Sequence, residues 1–167
     1  MMPAAKNFGV DAVKFIVDVM LGRLARWLRI LGYDTLYDSH FTDDDLFFKA
    51  HQEKRILLTR DGDLARRMNP DFCFFISENF VRDQVKKVVK QFNLNIEDYI
   101  FTRCTLCNNL IREIPKKQAD GRVPAFVYHS VGKFYYCDRC DKIYWSGSHI
   151  KLARELLSQL SIGENHD

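Results

Sequence analysis

The sequence predicts an α/β fold in which a parallel sheet with flanking helices is followed by a small β module that binds zinc and by a C-terminal helix. In the first part of the chain, short apolar runs alternate four times with amphipathic segments of helical spacing. This alternation is typical of a parallel sheet covered by helices on both faces. Two Cys-x-x-Cys pairs follow, and such pairs indicate a zinc site. We therefore expect two domains, over residues 13–95 and 100–162.

The elements of the first domain follow from apolar spacing and from residues that begin or end helices. The helix predicted over 20–31 has leucines on one side and arginines on the other, and Gly32 ends it. Thr42 and Asp45 resemble a capping box at the start of the second helix. The predicted strands cover 14–18, 33–37, 56–58 and 72–76, and the predicted helices cover 20–31, the residues after Thr42, 63–68 and the residues after a cap at Ser77 or Asn79.

Composition and charge restrict the classes of protein that the chain can belong to. The formal net charge is only +3, so bulk attraction does not by itself argue for nucleic acid, and any such contact needs a local basic surface. No apolar run approaches the length of a membrane span. Residues 1–11 lack the apolar stretch of a signal peptide, so we expect them to form a loose tail and the protein to be cytoplasmic.

The four paired cysteines, Cys104, Cys107, Cys137 and Cys140, suit one tetrahedral ion, because each short loop presents two thiolates. Two disulfides or redox-active pairs are the alternatives, and the lack of a secretory segment disfavours disulfides. A site closed by four thiolates is structural and not catalytic. Cys73 stands alone in an apolar strand and is expected to be a small buried hydrophobic residue. Between the pairs, the runs 125–129 and 134–136 are expected to be strands.

Acidic residues follow two of the predicted strands and begin one helix. Asp18 ends the first strand, Asp61 and Asp63 follow the third, and Asp43 and Asp44 open the second helix. Since the carboxyl ends of parallel strands share one edge of a sheet, we expect these acids to converge. Such carboxylates repel one another unless a cation lies between them, and Mg²⁺ or Mn²⁺ there would suit phosphodiester cleavage. Alternatively, the helix-start acids and Asp63 are only helix caps.

Five segments together carry a resemblance to a known family. The segments are FIVDVMLGRLARWLR at 15–29, ILLTRD at 56–61, RCTLCN at 103–108, CDRC at 137–140 and YWSGSH at 144–149. In these segments the chain resembles the Mut-seven C-terminal ribonuclease family, a PIN-like nuclease domain fused to a zinc ribbon. The resemblance implies a PIN-like sheet, Mg²⁺ or Mn²⁺ at the acidic edge, and cleavage of RNA. By position it implies that Asp18 is the first-strand acid, that Asp61 and Asp63 are the third-strand pair, and that Asp43 or Asp44 is the helix-start acid.

The predicted substrate is RNA, most simply single-stranded RNA. Arg23, Arg26 and Arg60 are candidates to contact its phosphates, although Arg23, Arg26 and Arg29 also fit a solvated helix face. The ribbon aromatics could stack on bases, and core packing is the alternative for most of them; they are Phe134, Tyr135, Tyr136 and Trp145.

Two rival functions remain open at the level of the sequence. The first is a non-catalytic RNA- or ribosome-binding adaptor with a vestigial acidic edge. The second is a haloacid-type phosphatase, because Asp61-Gly62-Asp63 fits the outline of its Asp-x-Asp motif. Against the phosphatase, Leu64 stands where Thr or Val is usual in that family, and the motif there normally ends the first strand.

Overall fold

The computed structural model describes residues 13–95, 99–147, 151, 153–155, 158 and 159. The predicted N-terminal tail lies outside these residues, as does His149 of the family resemblance. Ser148, which the sequence suggests as the cap of the predicted C-terminal helix, also lies outside them. Over the described ranges, no helix is long and apolar enough to cross a membrane.

The first part of the chain forms a four-stranded sheet in which all neighbouring strands are parallel. The strand order is β2-β1-β3-β4, so β1 and β3 are the central pair. This confirms the predicted parallel sheet. The four strands are β1 (Phe15–Val17), β2 (Thr35–Leu36), β3 (Ile56–Thr59) and β4 (Cys73–Phe75).

Four helices cover the two faces of this sheet. Phe15, Val17 and Leu58 pack on one face against α1 and α4, and Ile16 and Leu57 pack on the other against α2 and α3. Unbroken apolar strands are needed because both faces are buried. Cys73 packs, partly buried, against the second of these cores. The helices are α1 (Gly22–Ile30), α2 (Asp43–Gln52), α3 (Gly62–Arg67) and α4 (Val81–Phe92), and a 3₁₀ turn at Val19–Leu21 precedes α1.

The helix termini follow the predictions in part. Thr42 caps α2 through a complete capping box with Asp45. Gly32, just past α1, has a φ of 93°, and a Cβ there would lie 2.1 Å from the carbonyl oxygen of Tyr99. A glycine is therefore required both by conformation and by space. The helix α3 is capped by Asp61, one residue before its first turn.

The predicted cap of α4 at Ser77 or Asn79 is wrong. Phe80 occupies the N-cap position and makes no side-chain capping bond. The two polar side chains have other partners, because Lys87 donates to the Ser77 hydroxyl at 3.2 Å and Arg60 donates to the Asn79 side-chain oxygen at 2.6 Å.

The second part of the chain forms a three-stranded antiparallel sheet, and its order is β5-β6-β7. Of the two runs expected to be strands, 134–136 is confirmed within β6, whereas 125–129 is helical. Pro124 suits the start of this helix, because it occupies the N-cap position, where its missing N–H leaves no intrahelical hydrogen bond unmade. Only Val127 of this helix is buried. The elements are β5 (Arg112–Ile114), α5 (Ala125–Ser130), β6 (Phe134–Cys137) and β7 (Lys142–Trp145).

The chain returns to the first sheet at its end. Residues 151, 153–155, 158 and 159 are helical, in agreement with the predicted C-terminal helix. Ala153 is fully buried within the core formed by α1, α4 and one face of the parallel sheet. Phe101, from the segment that joins the two sheets, belongs to the same core. The hydrophobic core of the first part is therefore completed by residues of the second.

Candidate functional site

Asp18 directly follows β1, at the carboxyl edge of the two central strands, and is only 3% exposed. Its Oδ1 accepts the Met20 N–H at 2.6 Å. Its Oδ2 accepts hydrogen bonds from the Thr59 hydroxyl and from the Arg60 N–H, the latter at 3.2 Å. A buried carboxylate needs such donors, and here they come from the end of the neighbouring strand β3. Asp18 is thus held firmly between two rigid strands.

Asp61 and Asp63 lie just beyond β3. Asp61 Oδ1 accepts the N–H groups of Asp63 and Leu64, at 2.8 and 3.0 Å. These two backbone hydrogen bonds, that of Leu64 foremost, lower the pKa of Asp61. The expectation that Asp63 could cap α3 is wrong, because Asp61 takes that position and the exposed Asp63 side chain pairs with Arg66.

The acids that open α2 lie on its exposed N-terminal turn. Asp43 forms an ion pair with Arg67 of α3. Asp44 lines an apolar depression beside Phe48 and Phe72, between α2 and the end of α3. The two candidates for the helix-start acid therefore differ in surroundings, since only Asp43 is bonded to the helix that follows β3.

The predicted carboxylates are not gathered into one ion-sized cluster. Among the described residues, the four cysteines form the group of three or more acidic, cysteine or histidine side chains with a geometry that could hold a metal ion. Asp18, Asp43, Asp61 and Asp63 instead have hydrogen-bond or ion-pair partners within the protein. Metal binding at this edge therefore stays a prediction from the sequence.

A groove of about 740 Å³ runs along the same edge of the sheet. Its walls come from the segments that follow all four parallel strands: Tyr37 after β2, Met20 after β1, Arg60 after β3 and Phe80 after β4. In open α/β sheets this edge is where ligands bind. The groove is thus the natural place for a substrate to reach Asp18, which itself bonds to Met20 and Arg60.

The structure separates the three arginines proposed for RNA binding. Arg23 and Arg60 line the groove, together with Arg82. Arg26 lies in a different cleft, beside Lys142 and Trp145 of the second part of the chain. Sequence reasoning missed Arg82. The available signal was its position on the first turn of the helix that follows β4, at the edge where the acids were sought.

The four cysteines meet at one end of the antiparallel sheet, and all of their sulfur atoms lie within 4.8 Å of one another. The Cys104 and Cys140 sulfurs are 3.8 Å apart, and those of Cys107 and Cys137 are 3.5 Å apart. A tetrahedral zinc ion about 2.3 Å from each thiolate would place the sulfurs about 3.8 Å apart. A disulfide requires about 2.05 Å. The arrangement therefore fits one zinc ion and not two disulfides.

The thiols also show why the cluster favours a cation. Burial would raise the pKa of Cys104, but hydrogen bonds from the Tyr144 hydroxyl and from the N–H groups of Cys107 and Leu106 outweigh it, and the pKa is lowered to about 6. The pKa of Cys140 is raised to about 12, chiefly through its hydrogen bond with Cys107. Ionisation of one thiol thus disfavours ionisation of its neighbour, and a bound dication would stabilise the thiolates together.

Arg29 joins the cysteine loop to the parallel sheet. Its guanidinium donates to the carbonyl oxygens of Thr105 and Leu106, at 3.2 and 2.9 Å, and to that of Thr35 at 2.9 Å. The interpretation of Arg29 as part of a solvated helix face is wrong, because it is 5% exposed and lies against the second part of the chain.

Asn108 makes a second connection between the two sheets. Its side chain donates to Asp34 Oδ1 at 2.8 Å and accepts the Thr35 N–H at 2.9 Å. Asp34 in turn accepts from Arg55 at 2.7 Å. The residue after the first cysteine pair is therefore bonded to the start of β2.

The ribbon aromatics serve mainly as packing groups. Phe134 is fully buried, so the proposal that it stacks on bases is wrong. Tyr136 lies between the guanidinium groups of Arg112 and Arg122, each 5.3 Å from its ring centre.

These features together define a class of protein: an α/β domain with a parallel sheet, joined to a small antiparallel sheet that carries a four-cysteine cluster suited to zinc. The family model described as the Mut7-C RNAse domain matches residues 13–157, and the chain belongs to this family. Membership implies a ribonuclease that acts on RNA. In a comparison with curated proteins, no match to the chain was found.

Proposed function

We propose that the protein is a metal-dependent ribonuclease that hydrolyses RNA phosphodiester bonds at the carboxyl edge of its parallel sheet. The observation that carries the proposal is Asp18, a buried carboxylate held between the ends of β1 and β3 and bonded to Met20 and Arg60, which line a groove with three arginines. The four-cysteine sheet is proposed to be a structural zinc ribbon that aids RNA or partner binding. The domain limits, single-stranded substrate and cytoplasmic location stay predictions.

Asp18 and Asp61 are the proposed principal ligands of Mg²⁺ or Mn²⁺, with Asp43 or Asp44 from the start of α2 and with Asp63 as a ligand or supporting acid. A divalent ion there would orient the phosphate and supply an activated water. Asp43 and Asp63 would have to exchange Arg67 and Arg66 for the ion. Breaking these pairs costs little free energy, because exposed ion pairs contribute at most about 1 kcal/mol.

The proposal is tested by cleavage of labelled single-stranded RNA with and without added Mn²⁺. We expect Mn²⁺-dependent cleavage by the native protein and at least about a hundredfold less by Asp61→Asn, because a ligand to the ion is lost. Asparagine caps helices as well as aspartate does, so α3 should remain intact. The matched control is Asp120→Asn, an exposed acid in the second part of the chain. Equal cleavage by all three proteins would refute the site.

A non-catalytic adaptor is the second candidate, and one observation favours it. The acids of the edge are occupied by helix capping and by arginines and do not form an ion-sized cluster. RNA binding without any Mn²⁺-dependent cleavage would support this function. The phosphatase alternative lacks such an observation, since Asp61 caps α3 and Asp63 pairs with Arg66.

A further inference from the structure

Phe80 is an unusual residue for the surface of the groove. It is 74% exposed at the N-cap of α4, and Met20 across the groove is 65% exposed. Large apolar side chains in solvent at a concave site are typical of ligand contacts.

The apolar surface lies among cations. Arg23, Arg60 and Arg82 line the same groove. Neither Arg23 nor Arg82 has an ion-pair or hydrogen-bond partner in the part of the chain that the structure describes, whereas Arg60 donates to Asn79 at 2.6 Å. The groove therefore fits a ligand that carries both negative charge and flat apolar faces. Single-stranded RNA has both, in its phosphates and in its unpaired bases.

Hydrogen bonds hold two of the groove-lining residues and connect the groove to the candidate acidic site. The Tyr37 hydroxyl donates to the Val19 carbonyl at 3.3 Å. A Cβ at Gly22 would lie 2.6 Å from that hydroxyl oxygen, so a larger residue at position 22 would displace the Tyr37 side chain. The Arg60 side chain donates to Asn79, and the Arg60 backbone N–H donates to Asp18. The groove is therefore adjacent to the candidate acidic site.

We propose that this groove binds single-stranded RNA by stacking one base on Phe80 while Arg23, Arg60 and Arg82 contact the flanking phosphates. The inference rests on the proposed function for its ligand class and goes beyond it in naming the residue that takes a base. Stacking on an exposed aromatic ring is tolerant of sequence, because every base has a π-face. Binding therefore distinguishes single strands from duplexes more than it distinguishes one base from another.

The test compares two phenylalanines of equal exposure. Phe80 and Phe126 are both 74% exposed, and Phe126 lies in α5, outside the groove. Affinity for a fluorescent oligouridine is measured by anisotropy without added Mg²⁺ or Mn²⁺. We expect Phe80→Ala to weaken binding by at least about fivefold, the lower range of a lost stacking contact. Phe126→Ala should remain within about twofold of the native protein, and Phe80→Trp should retain binding.

Two further measurements separate stacking from charge. An oligomer with abasic sugars should bind the native protein more weakly than oligouridine and should no longer distinguish Phe80→Ala from it. Arg82→Ala should lower the slope of log affinity against log salt by about 0.7, the value for one single-strand phosphate. If Phe80→Ala and Phe126→Ala bind alike, this inference is wrong and the proposed function stands. If the native protein binds no oligouridine, this inference is wrong, and the cleavage assay with Mn²⁺ decides the proposed function separately.

Discussion

At the scale of single residues, the acids of the carboxyl edge are held by groups from other parts of the chain. Asp18 accepts hydrogen bonds from Thr59, which ends β3, and from the N–H of Arg60, the next residue. Asp61 caps α3 by accepting the N–H groups of Asp63 and Leu64. The position of each carboxylate is therefore set by backbone and side-chain donors around it.

Asp34 leads to a prediction about how the free energy of unfolding depends on pH. Burial alone would raise its pKa, but hydrogen bonds from Arg55 and Asn108 outweigh burial and hold the pKa below its ordinary value. A lowered folded-state pKa stabilises the protein above the unfolded-state value, about 3.9, and the stabilisation is lost as pH falls through the folded-state pKa. The native protein should therefore exceed Asp34→Asn in free energy of unfolding by a constant amount above about pH 5, and by less below pH 4.

Urea unfolding at several pH values checks this prediction. The comparison with Asp34→Asn cancels contributions common to both proteins, such as protonation of the four clustered cysteines. Asp120→Asn, which removes an exposed acid, serves as the control and should show no such pH-dependent difference. A gap between the native protein and Asp34→Asn that widens in acid would contradict the assigned direction.

Two carboxylates show how much of the candidate site the sequence could predict. Asp18 was predictable because it ends an apolar run, but its partners Thr59 and Arg60 were not, because the end of β3 is adjacent only after folding. Asp61 was predicted as a site residue, and its capping of α3 was assigned instead to Asp63. Neighbours across a sheet depend on strand order, which local patterns do not contain.

At the scale of elements, predictability depended on how many faces of an element are buried. Strands β1 and β3 are buried on both faces, and their unbroken apolar runs were sufficient to predict them as strands. The run 125–129 was misinterpreted because its consecutive apolar and aromatic residues suggested a strand, although the helix they form buries only Val127 and leaves Phe126 exposed. Strands β5 and β7 were missed. The exposed Arg112 and Glu113 gave β5 little apolar signal.

Helix α1 carries a prediction about stability. Arg29 donates to three backbone carbonyl oxygens while almost wholly buried. Arg29→Ala leaves these acceptors without their donor, and each unsatisfied buried group costs about 1–3 kcal/mol. We expect a loss of at least about 2 kcal/mol in the free energy of unfolding, measured in urea. Arg26→Ala, on the exposed side of the same helix, should cost less than about 0.5 kcal/mol.

A lysine at position 29 refines that test. Lys has three donors on one nitrogen and cannot spread them as a guanidinium does, so Arg29→Lys should recover only part of the loss. Full recovery would mean that charge, and not the three directed hydrogen bonds, stabilises the contact.

At the scale of the whole molecule, the cysteine site and the parallel sheet are coupled. Arg29 and Asn108 connect the first cysteine loop to α1 and β2. Metal binding to four thiolates contributes folding energy to such small sheets. Removal of the ion should therefore loosen the first sheet as well as the second.

The two tryptophans make this measurable, because Trp27 lies in α1 and Trp145 in β7. In a Trp145→Phe background, fluorescence reports on Trp27 alone. We expect a chelator to shift the urea midpoint of Trp27 to lower concentration. With Asn108→Ala added, the shift should shrink, because one link between the sheets is removed. A Trp27 midpoint unaffected by the chelator would show that the two sheets unfold independently.

The buried hydrogen bonds of Arg29 also affect whether the first part of the chain can fold as a separate fragment. A polypeptide stopped after residue 95 would keep the complete parallel sheet and every candidate acid, yet its Arg29 would lose two carbonyl partners and its hydrophobic interior would lose Phe101 and Ala153. We expect such a fragment to be poorly expressed. Inactivity of the fragment would then reflect incomplete packing of its core and not the loss of a candidate catalytic carboxylate.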